Sequence, residues 1–363
     1  MDIRKATLLY ERWLGQHLEL IRADVKRKHD LMASNVFCFF RATFYRWMQL
    51  WPKTCPDLAE APTVLAVGDL HVENFGTWRD REGRLIWGVN DFDEAFPLPW
   101  TIDLVRLAAS AHLAVQSDHL SLGRKRACDS ILAGYREALS AGGAPFVLAE
   151  SHDWLRRIML GKLRDPVTFW KKLVGISTSP ATIPKDARSA LQHLLPELDL
   201  KSRIVHRVAG LGSLGRRRFV ALSDWRGGQI AREAKSLAPS ACVLERAQTG
   251  EPKIYYQDII DHAVRVPDPF VGVHGKWIVR RLAPDCTRVE LADLPEGHDE
   301  SMLLHAMGYE TANIHLGSKG ARSAIARDLE KRPVGWLHKA VKRMAKLVMI
   351  DWRDWRTARP QPR

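Results

Sequence analysis

Cysteine is scarce and scattered, with five residues at positions 38, 55, 128, 242 and 286 and no CxxC pair among them. An odd number at wide spacing argues against a disulfide framework and offers no zinc-ligand pattern, which suits a reducing compartment. Long apolar runs are also missing, and none approaches the ~20 residues that a membrane-spanning helix needs. The opening MDIRKATLLYERW carries charges throughout and lacks the apolar stretch of a signal peptide. The cytoplasm is therefore the expected location. No internal repeat and no low-complexity segment interrupts the chain. Acidic residues are outnumbered, 42 against 55 Lys and Arg, giving a net charge of +13. Residues 321–363 alone hold 12 Lys/Arg and 4 Asp/Glu, which is +8 of that total. Such an excess attracts polyanions (nucleotide, nucleic acid or acidic lipid), or simply coats a solvated helix face and a tail.

What is present is core material. Of 363 residues, 46% are apolar and 13 are Trp, enough for one large domain or two around a sizeable interior. The chemistry concentrates in residues 63–95, TVLAVGDLHVENFGTWRDREGRLIWGVNDFDEA. Two short apolar runs, 63–67 and 85–89, have the length and composition of strands, and each ends in a polar cluster. Asp69, His71, Glu73 and Asn74 follow the first; Asn90, Asp91, Asp93 and Glu94 follow the second. Residues 79–83 have the composition of a hairpin connection. Pairing of the two runs would bring Asp69 and Asn74 close to Asp91 and Asp93. Converging carboxylates repel unless a cation sits among them. An Asp–Asn–Asp oxygen set suits Mg²⁺, which takes one or two carboxylates and completes its shell with substrate phosphates. An Asp left over can accept a proton from a substrate hydroxyl. The alternative is a group of solvated loop residues at strand ends.

On either side the pattern is mostly helical. Residues 5–30 place Leu8, Trp13, Leu18 and Ile21 at helical spacing as core contacts, and residues 35–51 form a buried helix with one conspicuous charge, Arg41. A lone Arg amid Phe39, Phe40 and Phe44 needs a phosphate or a carboxylate partner. Pro97 and Pro99 break the chain, and a helix begins near Thr101, with Leu104, Leu107, Ala108, Ala111 and Val115 on its apolar face. Two or three helices fill 121–200. Helices are also expected over 301–316 and, with a basic outer face, over 336–350.

A second informative region is 207–235, where Gly210, Gly212, Ser213 and Gly215 lie in a GxGxxG string. By itself the string is a weak signal. A Rossmann unit would continue into a helix, whereas residues 216–222 and 229–232 have strand composition. Strand, Gly-rich turn and strand is the arrangement in which backbone N–H groups cover nucleotide phosphates. A plain glycine turn is the other reading. A further strand is expected over 276–282.

The motifs themselves resemble known families. GDLHVEN at 68–74 followed by DFD at 91–93 is similar to the catalytic loop and metal motif of aminoglycoside phosphotransferases and choline kinases. More closely, VGDLHVENFG, VNDFDEAFPLPWTIDLVRLAAS and VFCFFR at 36–41 resemble the bacterial family DUF2252, over most of residues 30–285. The resemblance implies an α+β, protein-kinase-like fold of two lobes. Because the catalytic loop precedes the Gly-rich strands by about 140 residues, the reverse of the kinase order, it implies a circular permutation. Residues 1–200 would be the helical catalytic lobe, 201–285 a small β-rich lobe over the nucleotide, and 286–363 helices returning to the first lobe. By position, Asp69 matches the catalytic base, Asn74 and Asp91 the Mg²⁺ ligands and Asp93 the second acid of the metal motif. Asp103 matches an acid that braces the catalytic loop. Gly210, Gly212, Ser213 and Gly215 would cover the phosphates, with Arg41 nearby. The strand that should carry a phosphate-binding Lys reads AREAK at 231–235, placing Arg232 at the Lys position and Lys235 three residues on. Glu245 is a candidate partner for that cation.

The expected function is transfer of phosphate from ATP, with Mg²⁺, to a hydroxyl of a small molecule. Three other functions remain open. They are nucleotide binding without transfer, suggested by the Arg232 departure; a metal-dependent phosphoesterase, suggested by the DxH in GDLH; and nucleic-acid binding through the basic tail.

Overall fold

The computed structural model describes residues 1–357, apart from 117–119, 149–151, 161–163, 178–181, 245–250 and 289–297. The first helix, α1 (Ile3–His17), is capped by Asp2, whose side chain accepts from Lys5 N. The expected helical stretch 5–30 is split. Leu18 is extended, Leu20 forms a β-bridge with Arg216, and α2 (Arg22–Ser34) starts afterwards. Leu8 is exposed rather than a core contact, while Trp13 and Leu18 pack partly buried against the core. The buried helix over 35–51 is likewise two, α3 (Val36–Ala42) and α4 (Phe44–Thr54), with Thr43 out of helical geometry between them. A short α5 (Pro56–Ala59) follows.

The strands 63–67 and 85–89 do not pair with each other. Instead β1 (Thr63–Ala66) pairs antiparallel with the last of β2 (Phe75–Arg79), β3 (Leu85–Val89) and β4 (Phe96–Pro99), while β2 pairs with β3. The local hairpin wins β3 because its turn is closed by Asp80, which accepts from the backbone N–H of Glu82 and Arg84. Pro97 and Pro99 are tolerated because β1 and β4 form a two-stranded ribbon in which each strand has a free edge.

Helix α6 (Thr101–Gln116) is buried on every side from 101 to 114. Around it stand α7 (Arg124–Ala141) and two late helices, α12 (His298–Leu316) and α14 (Trp336–Thr357), while a third late helix, α13 (Ala321–Glu330), packs against α12. These late helices share one hydrophobic core with α1–α6. As expected, α14 buries Leu337, Val341, Met344 and Val348 and exposes Lys339, Lys342, Arg343 and Lys346. Among the described residues no helix is long and apolar enough to cross a membrane.

Between α7 and α12 the chain runs through β5 (Phe146–Val147), which adds to β3, then α8 (Asp153–Leu160), α9 (Pro166–Val174) and α10 (Lys185–His193). Next come β6 (Arg203–His206), β7 (Arg218–Trp225), β8 (Gly228–Ser236), α11 (Tyr256–His262), β9 (Val271–His274) and β10 (Trp277–Leu282). The strands β6 to β10 make an antiparallel sheet in the order β6-β7-β8-β10-β9. Two helices from the 1–200 region pack on it. Ala187, Ala190 and Leu191 of α10 meet Phe219, Ala234 and Trp277 on one face, and Leu173 of α9 meets Val205, Val220 and Leu282 on the other. After β10 the chain crosses back to β2, where Thr77 N donates to Thr287 O.

Candidate active site

The loop after β1 is held from below by α6. Asp103, Arg106 and Ser110 lie at i, i+3 and i+7, so they share one helix face. Asp103 accepts from Val67 N at 2.7 Å and Gly68 N at 2.9 Å, and Ser110 Oγ accepts from Val72 N. Asp103 is itself held by His315 Nε2 at 3.0 Å, and the other nitrogen of His315 faces the Tyr135 hydroxyl at 2.7 Å. This is the bracing role expected of Asp103. Arg106 is the other charge that falls off the apolar stripe of α6. Wholly buried beneath Phe40, Phe44 and Trp47, it donates from Nε and Nη2 to Asp69 Oδ1 and from Nη2 to Phe40 O. The other Asp69 oxygen, Oδ2, is left to the recess. Burial raises the Asp69 carboxyl above its ordinary value, against the pull of Arg106 and Arg41.

Gly68 is the hinge of this loop. Its φ of +82° is left-handed, and a Cβ there would run into Glu94 O. Gly68→Ala is expected to cost more than the ~1–2 kcal/mol of a left-handed alanine, read as a lowered urea midpoint. An unchanged midpoint would show that the loop has room to turn.

The two polar clusters do converge, though through different strand pairing than expected. Asn74 Nδ2 donates to Asp69 O at 2.7 Å, which leaves its Oδ1 as the free oxygen, and Asn90 N donates to Asn74 O at 3.0 Å. Asp69, Asn74, Asp91 and Asp93 consequently line one small recess of about 50 Å³, together with Arg41 and the glycine turn. Lys235 Nζ reaches in from β8, 2.6 Å from Asp93 Oδ1 and 3.2 Å from Asp91 Oδ1. Burial alone would raise the Asp91 carboxyl, but Lys235, Arg288 and Arg280 outweigh it and hold Asp91 well below the usual range. Arg216 pairs at 3.4 Å with both Asp93 and Glu94. Glu94, pushed up to about 7 by burial, is fixed by Ser240 Oγ and Ala241 N.

The structure does not bring Arg232 to this cluster. Side chains alternate along β8, so Lys235 meets the acids from the same face as Glu233 while Arg232 turns to the other face, donating to Leu194 O and lying over Phe270. Lys235 is the strand's cation at the acids. Glu245, the suggested partner, lies outside the described residues. Arg41 pairs with Glu73 at the rim of the recess. The turn between β6 and β7 closes the roof. Gly210 is left-handed at φ +77°, Ser213 N donates to Gly210 O, and Arg218 donates to Ser213 Oγ at 2.8 Å. Gly212 sits over Asp69, and its carbonyl accepts from the buried Lys28. Gly215 is tied to the α1–α2 junction through Ile21 N.

A larger cavity of about 440 Å³ adjoins the recess and shares Gly210 and Arg288 with it. Trp78, Phe92, Ile260 and Leu282 form apolar walls, and Arg218 and Arg280 lie on the sheet side. Both arginines, with Arg207, clasp the fully buried Glu233. The walls from α11 and residues 263–268 carried no motif by which sequence could have found them.

One amide and two carboxylates suit an ion that takes its other ligands from phosphate. Among the described residues no group of three or more His, Cys, Asp or Glu side chains is arranged to hold a metal by itself. Comparison with curated proteins and with solved structures gave no match. Residues 20–163, which carry the loop, the acidic motif and α6, match the family described as "Uncharacterized protein conserved in bacteria (DUF2252)", in support of the resemblance read from those motifs.

Proposed function

We propose that the protein is a kinase-like phosphotransferase that takes a nucleoside triphosphate, such as ATP, with Mg²⁺ and phosphorylates a hydroxyl of a small molecule. The observation that carries this reading is the meeting of Asp69, Asn74, Asp91 and Lys235 beneath a glycine turn, beside a cavity of nucleotide size. Strand, Gly-rich turn, strand and Lys-bearing strand, the order of β6–β8, is how a kinase sheet covers phosphates. With the catalytic loop earlier in the chain, the reading includes a circular permutation of the two lobes.

In this reading Asn74 and Asp91 would hold the ion, which would neutralise charge on the phosphates. Lys235, Arg218, Arg280 and Arg288 supply fixed positive charge, and the turn N–H groups orient the phosphates. Asp69 Oδ2 accepts the hydroxyl proton as the acceptor oxygen bonds to the γ-phosphorus. The bond to the bridging oxygen breaks, and the nucleoside diphosphate leaves. Positioning and charge stabilisation provide most of the rate in such transfers. Nucleotide binding without transfer rests on Arg232 standing in for the lysine, and the contacts of Lys235 with Asp91 and Asp93 favour transfer instead.

Calorimetry with ATP and GTP, with and without Mg²⁺, tests the reading. Binding that requires Mg²⁺ and disappears in Asp91→Ala is expected. Absence of nucleotide binding under any metal would overturn it.

A further inference from the structure

The wall of the larger cavity carries charged side chains that form no direct ion pair among the described residues. Arg265, Arg281 and Asp268 line this cavity but not the acidic recess. The Arg265 guanidinium lies against Trp78 and Phe92, with centroid distances of 4.7 and 5.1 Å. Arg281 lies over Phe270, donates a hydrogen bond to Arg79 O, and meets the Cys286 thiol. Neither arginine has an ion-pair partner among the described residues, and Arg265 Nε and Nη1 and Arg281 Nε are buried without a hydrogen-bond partner. Asp268 accepts from Phe270 N through Oδ1 at 3.0 Å and likewise has no ion-pair partner among the described residues. The contrast is with the phosphate side, where Arg207, Arg218 and Arg280 are all ion-paired to Glu233. Arg281 and Arg265 stabilise the Asp268 carboxylate without an ion pair to it, and a ligand that accepts from the arginines and donates to the carboxylate would give these half-buried charges direct partners.

On the nucleotide reading above, we propose that this part of the cavity selects a guanine base. Guanine presents two acceptors, O6 and N7, on one edge and donors, N1–H and the 2-amino group, on the next. A guanidinium matches the first edge and a carboxylate the second. Arg265 and Arg281 donate to O6 and N7, and Asp268 accepts from N1–H and the 2-amino group. Adenine reverses this pattern, offering its 6-amino donor to the arginines and a bare N1 acceptor to the carboxylate. A second phosphate at this end would suit the arginines, but it would meet the Asp268 charge. Asp268 thus favours a base with a donor edge over a further anion.

Calorimetry in Mg²⁺ with GTP, ITP, XTP, ATP and adenosine 3′,5′-bisphosphate decides it, on wild type and on Asp268→Asn. GTP should bind about tenfold or more tighter than ATP, since each such paired contact discriminates by that order. ITP, which lacks the 2-amino group, should fall between them. Asp268→Asn should weaken GTP and strengthen XTP, because the amide can donate to the 2-oxo group of xanthine. ATP binding as tightly as GTP, or a GTP/XTP ratio unchanged in Asp268→Asn, would overturn guanine selection while leaving the nucleotide reading intact. Tightest binding by the bisphosphate would replace the base with a second anion. Absence of binding by every nucleotide would overturn both proposals. The wild-type panel stands as a test even if the variant does not fold.

Discussion

Asp69→Asn is expected to lower phosphoryl-transfer turnover by about 10²–10⁴-fold, the range typical of general-base help, with nucleotide affinity unchanged. The geometry makes asparagine the informative substitution. Arg106 uses Oδ1 of Asp69, and asparagine retains an oxygen there, so the buried guanidinium keeps an acceptor. The atom that changes is Oδ2, which becomes an amide nitrogen and can no longer take a proton. Asp69→Ala removes both oxygens and strands Arg106 beneath its aromatic lid, at a cost on the order of 3–5 kcal/mol. The pair of variants thus separates chemistry from folding. Burial raises the Asp69 carboxyl, and a base must be ionised to act. Wild-type turnover should therefore fall as pH drops through that raised value. A product-release assay on both variants checks these expectations, and an Asn variant that turns over at the wild-type rate would remove Asp69 from the chemistry.

Glu233→Gln is expected to cost the fold about 3–5 kcal/mol at neutral pH, seen in urea denaturation. Glu233 is completely buried in the middle of the sheet, between Arg218 from β7 and Arg280 from β10, with Arg207 closing the third side. Glutamine keeps the shape but leaves three guanidiniums with no carboxylate between them. Burial would raise this carboxyl, yet the three arginines outweigh it and hold Glu233 well below its ordinary 4.5. Because the folded value is depressed, the stabilisation is full above the unfolded value and fades as pH falls through the folded one. Wild type should accordingly lose stability on acidification below about pH 4.5, with that part of the loss absent in the variant. An unchanged neutral-pH midpoint would mean that other groups neutralise the arginines.

The acid-bearing stretch was legible because its chemistry is local. Asp69 and Asn74 sit on one tight loop and Asp91 and Asp93 on one motif, so their grouping survives a mistaken strand pairing. The bracing pair Asp103 and Arg106 was also within reach of sequence. Two charges three residues apart on a helix otherwise buried all round must have partners. The five-stranded sheet showed its turn and three of its strands through composition, and the amphipathic period of α14 marked its buried face.

What the sequence by itself determined was the set of candidate site residues and most of the elements carrying them. Tertiary structure alone decided which cation meets the acids. A strand turns successive side chains to opposite faces, so the choice of Lys235 over Arg232 depends on which face of β8 packs over the recess. That is set by strand neighbours distant in the chain. The larger cavity was equally out of reach, because its walls come from residues 77–92, 164, 207–218 and 256–288, and no short-range rule links segments so far apart. Packing brings them together, and with them Arg265, Arg281 and Asp268.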